Sequence, residues 1–505
     1  MTQGDPDRDQ PGLFYQSARG RWVVAATVLG SGLALLDSTV VAIALPRIGK
    51  NFHVGVSALQ WVVTGYTLTL AAFLLLGGTL GDRYGRRRVF AIGVAWFAVA
   101  SAACAIAPTA GTLIAARALQ GVGAALLTPG SLAILQSAFV PDDRSRAIGA
   151  WSGLGGLASA AGPLVGGYLL AIGSWRLVFL INLPVAAAVL EITRRHVPES
   201  TDSSASGRID VPGAALAIIA LSTLIYALIE ASSDGWTAPV VLSCLAVGAV
   251  STVTFVVVER RSSAPMLPPS MFVARQFAAT NAVTFLMYGA LGGSLFLLPV
   301  ALQQVAGYTP LDAGLTLLPV TALMLLFSAA SGRIAARIGP RLQMSAGPFV
   351  LGVGLLLLAR LTDDHSYWTG VLPGTFLLGC GLVITVAPLT ATAMSSAPGE
   401  HAGLASAVNN DVARAAGLFA VAVIPVASGL TGDAYLHPAV FAHGYRISSV
   451  IVALMCAGGA AIGAVAIRNP KRPRRTAAAL PPPAGGATAP PLTAPASSRS
   501  DADDG

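Results

Sequence analysis

Long apolar runs, separated by short polar segments that carry most of the charge, dominate the chain. A helix needs about 20 mostly apolar residues to cross the hydrocarbon core of a bilayer. Runs of that length recur between the charge clusters, so the pattern predicts fourteen transmembrane helices. The predicted spans are 22–45, 57–80, 89–107, 112–135, 147–170, 175–193, 212–230, 238–258, 277–301, 313–332, 342–360, 369–393, 403–429 and 446–467.

The composition is that of a membrane protein: 54% of the 505 residues are hydrophobic, only 11% are charged, and the mean hydropathy is +0.70. An even number of crossings puts both termini on one side, and basic loop residues mark the cytoplasmic side. Most of the 31 lysine and arginine residues lie on the side of the termini; those on the opposite side are Arg47, Lys50, Arg176, Arg360 and Arg446. Both termini are therefore predicted to be cytoplasmic. This topology explains the net charge of +8 without a nucleic-acid partner. The excess of Arg over Lys and the many Ala residues indicate a high-GC bacterium, so we expect the membrane to be its inner membrane.

A glycine- and arginine-rich segment occurs twice. GTLGDRYGRRR begins at Gly78, after the second predicted span, and GRIAARIGPR begins at Gly332, after the tenth. Aligned on these glycines, the two copies share an apolar residue, an arginine and a second glycine at equal offsets. The repeat predicts two parallel six-helix halves around a central cavity, as in many secondary transporters.

The repeat and the polar segments divide the chain into six parts. In order, they are a cytoplasmic N-terminal segment (1–20), an N-terminal six-helix half (21–193), a cytoplasmic linker (194–211), two inserted transmembrane helices (212–258), a C-terminal six-helix half (259–468) and a cytoplasmic tail (469–505). The tail is rich in Pro, Ala, Gly and Ser, with nothing to bury, and is predicted to be disordered. The fold class is therefore predicted to be all-α and integral to the membrane.

Several function classes lack the residues they need. The only lysines, Lys50 and Lys471, lie in no glycine-rich phosphate-binding loop, which argues against an ATP-driven pump. No nucleophile with its base and no metal cluster stands out, so we expect no enzyme activity, metal or cofactor. The energy is then expected to come from a gradient across the membrane. Because all six histidines lie in loops, carboxylates are left to carry protons.

One carboxylate interrupts the apolar stretch LLDSTVVAIALP of the first span. Charge inside a membrane span is costly unless it meets a partner or a wet cavity. Arg117, in the fourth span, is expected to approach this carboxylate, Asp37, in the outer half of the bilayer. Movement of the two halves would then switch Asp37 between proton-holding and proton-releasing states. The alternatives are that Asp37 only hydrogen-bonds Ser38, Thr39 or a neighbouring helix, and that Arg117 is a structural hub.

Four further charged residues are candidates for substrate or proton binding. Glu230 and Asp312 lie near the outer ends of spans, where solvation is the ordinary state, although either would meet a departing cation. Asp411 and Arg414 lie together in the thirteenth span. For Arg414 the pattern favours a structural pair with its polar neighbours over a functional role.

Together, the motifs resemble the fourteen-helix drug:proton antiporters of the major facilitator superfamily, over nearly the whole chain up to about Arg468. The stretches that carry the resemblance are LLDSTVVAIALP, GTLGDRYGRRR, RALQGVGAA from Arg117, GPLVGG from Gly162, WRLVFLINLP from Trp175 and NNDVARAAG from Asn409. This chain departs from the family pattern at Ala42, where asparagine is usual, at Ala158, where glycine is frequent, and at Asp411, where an uncharged residue is usual.

The resemblance implies two conformational motifs. The gating loop motif consists of Gly78, Asp82, Arg83, Gly85 and Arg86. Asp82 would form a pair with the opposite half in only one of two conformations and so control the conformational change. The alternative is that the basic residues of the loop only anchor it on the cytoplasmic side. The antiporter motif consists of Gly162, Pro163, Gly166 and Gly167. It would allow a bend where the halves rock, or merely close helix packing.

The resemblance implies a proton-driven antiporter that exports hydrophobic drugs or antibiotics, cationic ones included, by alternating access. Its partners would be that small molecule, protons and the lipid bilayer, with the monomer as the working unit. The alternatives are a dedicated exporter of an endogenous metabolite and, less favoured, a uniporter or uptake symporter. Residues that would suit a bulky apolar substrate, or simply pack, are Trp61, Tyr66, Phe285, Tyr288, Phe296 and Met324.

Overall fold

A computed structural model of the chain describes residues 12–201, 210–262, 267, 269–362, 366–396 and 402–469. These residues are almost entirely helical, and their β-structure is limited to an isolated bridge between Leu13 and Phe139. The tail beyond Asn469, with its predicted disorder, lies outside the described residues. So do 1–11 of the N-terminal segment and 202–209 of the linker.

The α-helices follow the apolar runs. They are α1 (Ala18–Phe52), α2 (Val56–Tyr84), α3 (Arg86–Ile106), α4 (Ala110–Ala138), α5 (Pro141–Ile172), α6 (Leu177–Leu180), α7 (Asn182–His196), α8 (Val211–Asp234), α9 (Pro239–Arg261), α10 (Arg275–Gln304), α11 (Pro310–Leu315), α12 (Leu318–Ile338), α13 (Pro340–Leu357), α14 (Leu372–Ser395), α15 (Ala402–Ala427) and α16 (Pro438–Ala466). Short 3₁₀ or π turns (269–273, 358–362, 367–371 and 434–436) complete the helical segments.

Thirteen of the helical segments in the described residues are long and apolar enough to cross a membrane. The remaining predicted span, 147–170, lies in α5, of which Ala161–Ile172 counts as a shorter apolar helix. The multi-pass helical fold is therefore confirmed, while the count of fourteen crossings stays a prediction.

Two predicted spans are interrupted, which the apolar pattern does not show. The sixth, 175–193, divides at Ile181 into α6 and α7. Pro184 lacks the N–H that would bond the Leu180 carbonyl, which weakens the helix at this point. The tenth, 313–332, begins in the short α11 and continues in α12.

The two halves repeat one packing pattern. In the N-terminal half α4 packs on α2 and α3, and α1 packs on α5 and α7. In the C-terminal half α14 packs on α12 and α13, and α10 packs on α15 and α16 in the same way. The inserted helices α8 and α9 pack on each other, and α8 also contacts α2 and α15. The internal repeat seen in the loop motifs thus extends to the helix neighbours, although the domain boundaries stay predictions.

Hydrogen bonds join the halves at the end of the bundle away from the start of α1. The Val56 amide donates to the Gly432 carbonyl at 2.7 Å, and the Tyr435 hydroxyl donates to the Val54 carbonyl at 2.7 Å. Deeper in the bundle, the Gln60 side chain donates to the Val421 carbonyl at 2.6 Å. These contacts close the far side of the bundle.

A cavity of about 850 Å³ lies between the halves. It extends along α5 to Ser152 and Gly153 and along α12 to Ser328, toward the side of the bundle where the chain termini lie. A Cβ atom built at Gly153 meets nothing within 4 Å, so this part of α5 faces open space. The structure is therefore closed on the far side and spread apart on the side of the termini.

Candidate functional site

Asp37 is completely buried and forms a salt bridge with Arg117, which is 1% exposed. The Gln120 and Asn182 side-chain amides each donate to Asp37 Oδ1 at 2.9 Å. The approach of Arg117 to Asp37 expected from the sequence is thus confirmed, and donors from α4 and α7 surround the carboxylate. Their roles in proton coupling stay predictions.

The helices that carry this network explain its geometry. Gln120 lies one turn after Arg117 on the same face of α4 and accepts from Arg117 at 2.6 Å, so both side chains reach α1. Asn182 is the first residue of α7, directly after the break at Ile181. Ser101 of α3 accepts from Gln120 at 2.7 Å and from Asn182 at 3.2 Å. The network therefore ties α1, α3, α4 and α7 together.

The Arg117 guanidinium has further partners outside the carboxylate. Its Nε donates to the Val62 carbonyl of α2 at 3.0 Å, and the group lies 4.3 Å from the centre of the Tyr66 ring. Such a stack on an aromatic face adds stabilisation for a desolvated cation. Arg117 is accordingly both the ion-pair partner of Asp37 and a hub between α2 and α4.

Sequence reasoning did not assign Gln120, Asn182 and Ser101. Gln120 and Asn182 do stand inside the quoted motifs RALQGVGAA and WRLVFLINLP. The available signal was that each is a polar residue within an apolar span, where an unpartnered side chain is disfavoured. The Asn182 Oδ1 atom is buried without a hydrogen-bond partner.

The loop motif is held within its own half. Asp82 accepts from Arg86 Nε at 2.9 Å, and Arg83 lies 5.7 Å from the Tyr84 ring centre. Gly85 has a φ of +108°, and a Cβ there would meet the Glu199 carboxylate at 2.8 Å. In this conformation Asp82 thus pairs along the loop, and the predicted pairing across the halves is not among the contacts of the described residues.

Gly78, the first residue of the loop motif, has an ordinary environment. A Cβ atom at this position would lie 3.6 Å from the Pro129 side chain of α4, which is normal van der Waals contact. The residue therefore faces a neighbouring helix of its own half rather than the opposite half.

The antiporter motif lies between α1 and the C-terminal half. A Cβ at Gly162 would strike the Thr39 side chain, and one at Gly166 would lie 3.1 Å from Val40. On another face of α5, a Cβ at Gly167 would lie 2.7 Å from the Leu311 Cα atom of α11. Pro163 lies inside the same helix. The small residues therefore let α5 approach both α1 and the opposite half, whereas a bend at Pro163 stays a prediction.

The central cavity has mainly apolar walls with a few hydroxyl groups. Ser38 and Thr39, which follow Asp37 directly, contribute to its wall, as does Met324. Tyr288 and Phe296 line an adjoining cavity of about 250 Å³. The other residues proposed as pocket lining pack elsewhere: Tyr66 against Arg117, Trp61 against Glu230 and Phe285 against Phe419.

Comparison with known proteins identifies the family. Residues 27–422 match the family described as the Major Facilitator Superfamily. The chain belongs to this superfamily. It is 40% identical over 385 residues to the multidrug resistance protein Stp of Mycobacterium tuberculosis, covering 76% of this chain and 71% of that protein.

Other relatives in the superfamily carry antibiotic names. The methylenomycin A resistance protein of Streptomyces coelicolor is 36% identical, over 85% of this chain and 89% of that protein. The tetracenomycin C resistance and export protein of Streptomyces glaucescens is 36% identical, over 81% of this chain and 76% of that protein. A crystal structure of a single-residue mutant of the peptide transporter POT in complex with sulfate matches with a TM-score of 0.64 and 15% identity, over 90% of this chain and 96% of that chain. This likeness shows the shared fold alone.

Two further candidate acids of this superfamily member, Glu230 and Asp312, have structural partners. Half-buried Glu230 accepts from the Trp61 indole at 2.7 Å and so ties α8 to α2. Asp312 is exposed in the first turn of α11, where it accepts from the Thr309 hydroxyl at 2.6 Å. Thr309 in turn caps the helix by accepting from the Asp312 amide at 3.2 Å. Any role of these acids in substrate or proton binding stays a prediction.

The expected structural pairing of Arg414 with its polar neighbours stays a prediction: the Arg414 charge acts on the Asp411 carboxyl, but no direct bond joins the two among the described residues. Asp411 and Arg414 lie one turn apart on α15, yet across the described ranges they form no salt bridge. Asp411 Oδ1 and Arg414 Nε are both buried without a hydrogen-bond partner. The reason is geometric, since the Arg414 side chain instead lines the 250 Å³ cavity between the halves.

Proposed function

We propose that this chain exports hydrophobic drugs or antibiotics across the bacterial cytoplasmic membrane in exchange for protons, by alternating access. The observation that carries the proposal is a buried ion pair, Asp37–Arg117, one residue before the wall of a cavity between two movable halves. The names of the relatives supply the substrate class, since they include multidrug efflux and antibiotic resistance proteins.

Contacts connect the ion pair to the rocking of the halves. Thr39, two residues after Asp37, packs against Gly162 of α5. On another face, α5 packs against α11 of the opposite half through Gly167. A shift at the α5–α11 contact would therefore move the segment of α1 that carries Asp37, and the donors around the carboxylate would change.

Protonation of Asp37 would remove the charge that Arg117 neutralises. A proton that moves inward gains roughly 2.3 kcal/mol per 100 mV of membrane potential, which can offset the cost of expelling a solute. The proton-motive force is the proposed energy source, without ATP or another cofactor. We also propose cytoplasmic termini, so that the structure faces inward, and function as a monomer.

A dedicated exporter of an endogenous metabolite is the second candidate. It is favoured by the relative named for both resistance to and export of tetracenomycin C. A uniporter or uptake symporter would share the fold, and the direction of net flux would distinguish it.

The test uses inside-out membrane vesicles energised to an acid interior. A panel of lipophilic cations, lipophilic acids, dyes and antibiotics is added, and proton efflux is recorded for the wild type and Asp37→Asn. We expect at least one compound to release protons from the wild type and not from the variant. Asp433→Asn, at an exposed loop acid, is the matched control and should behave like the wild type.

Two results would count against the proposal. Proton release from Asp37→Asn equal to that of the wild type would make Asp37 structural and move the proton site to Asp411 or Glu230. A panel without any response in the wild type would reject broad drug export in favour of a narrow metabolite exporter. The amount of folded protein in the vesicles is measured for each variant, since Asp37 is buried in an ion pair.

A further inference from the structure

The cavity of about 250 Å³ beside α15 adjoins the larger central cavity. The two share Ser38 and Ala42 of α1 and Leu291 and Leu295 of α10 in their walls. Residues of both halves line the smaller cavity, so a molecule bound there would contact both halves. Its volume suits the bicyclic end of a larger molecule that extends into the central cavity.

Arg414 is the charged residue in the lining of this cavity. Its Nε atom is buried without a hydrogen-bond partner, and the guanidinium forms no salt bridge within the described part of the chain. A cation inside a membrane span is costly unless a partner or water compensates it. In a substrate cavity, the missing partner points to a ligand of opposite charge.

Thr64 is an independent indication of a ligand at the same place. It is completely buried, lines the cavity, and its hydroxyl has no hydrogen-bond partner. Hydroxyls beside it are used within their own helices: Thr67 donates to the Val63 carbonyl at 3.1 Å and Ser38 to the Leu35 carbonyl at 2.8 Å. Buried hydroxyls normally find a partner. Because the Thr64 hydroxyl has none among the described residues, it is available to donate to a bound group.

We propose that Arg414 and Thr64 form a subsite for the anionic group of the substrate, such as a carboxylate or an ionised phenol or enol. The apolar body of the molecule would lie against Leu291, Leu295 and Phe296. The inference rests on the proposed export function and narrows its substrate class. It favours anionic substrates over the cationic ones that the expectation from the sequence included.

Asp411 is the acid that could compete for Arg414. It lies one turn earlier on α15, but it forms no salt bridge with Arg414 and does not line either cavity. The Asp37 carboxylate, on the other side of Ser38, is already paired with Arg117. The charged side chain that a ligand contacts at this subsite is therefore Arg414, and Asp411 acts there only through its electric field.

The test compares three probes that share a naphthalene body: 2-naphthoate, the neutral 2-naphthamide and the cation 2-naphthylmethylammonium. Binding to the full-length protein in lipid nanodiscs at neutral pH is measured by equilibrium dialysis, with empty nanodiscs as blanks.

Charge-assisted hydrogen bonds should make naphthoate bind about tenfold to a hundredfold more tightly than the amide. Arg414→Gln should remove that preference by weakening naphthoate binding far more than amide binding, and Arg414→Lys should retain part of the preference. Thr64→Val should weaken naphthoate binding by roughly threefold to tenfold.

Several outcomes would overturn the subsite. These are tightest binding of the cation, equal effects of Arg414→Gln on all three probes, or no binding of any probe to the folded wild type. A preference that changes in Asp411→Asn but not in Arg414→Gln would assign the decisive charge to Asp411 instead. The binding result is separate from the vesicle experiment. Selective binding of naphthoate without proton exchange would reject antiport and keep the subsite. Proton exchange without selective binding of naphthoate would reject the subsite alone.

Discussion

Asp37 accepts hydrogen bonds from two other helices while it is shielded from solvent. Arg117, Gln120 and Asn182 all donate to the one carboxylate. A proton that arrives at Asp37 would neutralise the carboxylate and weaken the charge-assisted bonds from these donors. At the scale of single residues, proton binding and rearrangement of α4 or α7 are expected to be coupled.

The ion pair predicts strong energetic coupling between two substitutions. Arg117→Met would leave the Asp37 carboxylate buried without its cation, which typically costs about 3–5 kcal/mol of folding free energy. In the Asp37→Asn background the same substitution should cost much less, because no buried charge remains. A double-mutant cycle of unfolding free energies in SDS titrations measures the difference. Additive effects of the two substitutions would show that the pair contributes no coupling.

At the scale of elements, α5 is the helix through which the two halves communicate. The small residues Gly162 and Gly166 face α1, and Gly167 faces α11. Gly153 lies on the same helix but faces open space in the cavity. One helix thus carries both tight contacts and a free position for comparison.

A methyl group at Gly167 should disfavour the present conformation. The added Cβ would lie 2.7 Å from the Pro310 carbonyl oxygen and the Leu311 Cα atom, which are backbone atoms that cannot turn aside. We expect Gly167→Ala to reduce transport by tenfold or more, at an unchanged amount of folded protein in the membrane. Gly153→Ala, with no atom within 4 Å, is the matched control and should transport normally. Equal activity of the two variants would show that the α5–α11 contact loosens without loss of function.

The elements were easier to predict than the contacts between them. Apolar runs and charge clusters are local, so the helices and the repeat could be read from the sequence. The partners of Asp37 could not, because which face Gln120 or Asn182 presents depends on helix rotation and on the break at Ile181. The spacing of Asp411 and Arg414 likewise indicates a shared face of α15 but does not determine where a long side chain points.

At the scale of the whole molecule, the described state is defined by contacts that exist only while the far side is closed. The Tyr435 hydroxyl of the C-terminal half reaches the Val54 carbonyl of the N-terminal half, and the Val56 amide reaches Gly432. Whatever weakens these bonds favours the alternative state without touching the cavity, because a conformational equilibrium follows the free-energy difference between its two states.

Tyr435→Phe should therefore shift the population toward the state that is open on the far side. The loss of one hydrogen bond of about 1 kcal/mol corresponds to roughly a fivefold change in the equilibrium. The readout is the rate at which Ser38→Cys, in the cavity wall, is labelled in a background without the four native cysteines. A membrane-impermeant maleimide added to intact cells should label this cysteine several times faster in Tyr435→Phe. Tyr168→Phe, the same change at an exposed tyrosine of α5, should leave the rate unchanged. If the Tyr435 variant is labelled no faster than this control, the far-side hydrogen bond does not hold the far side of the bundle closed.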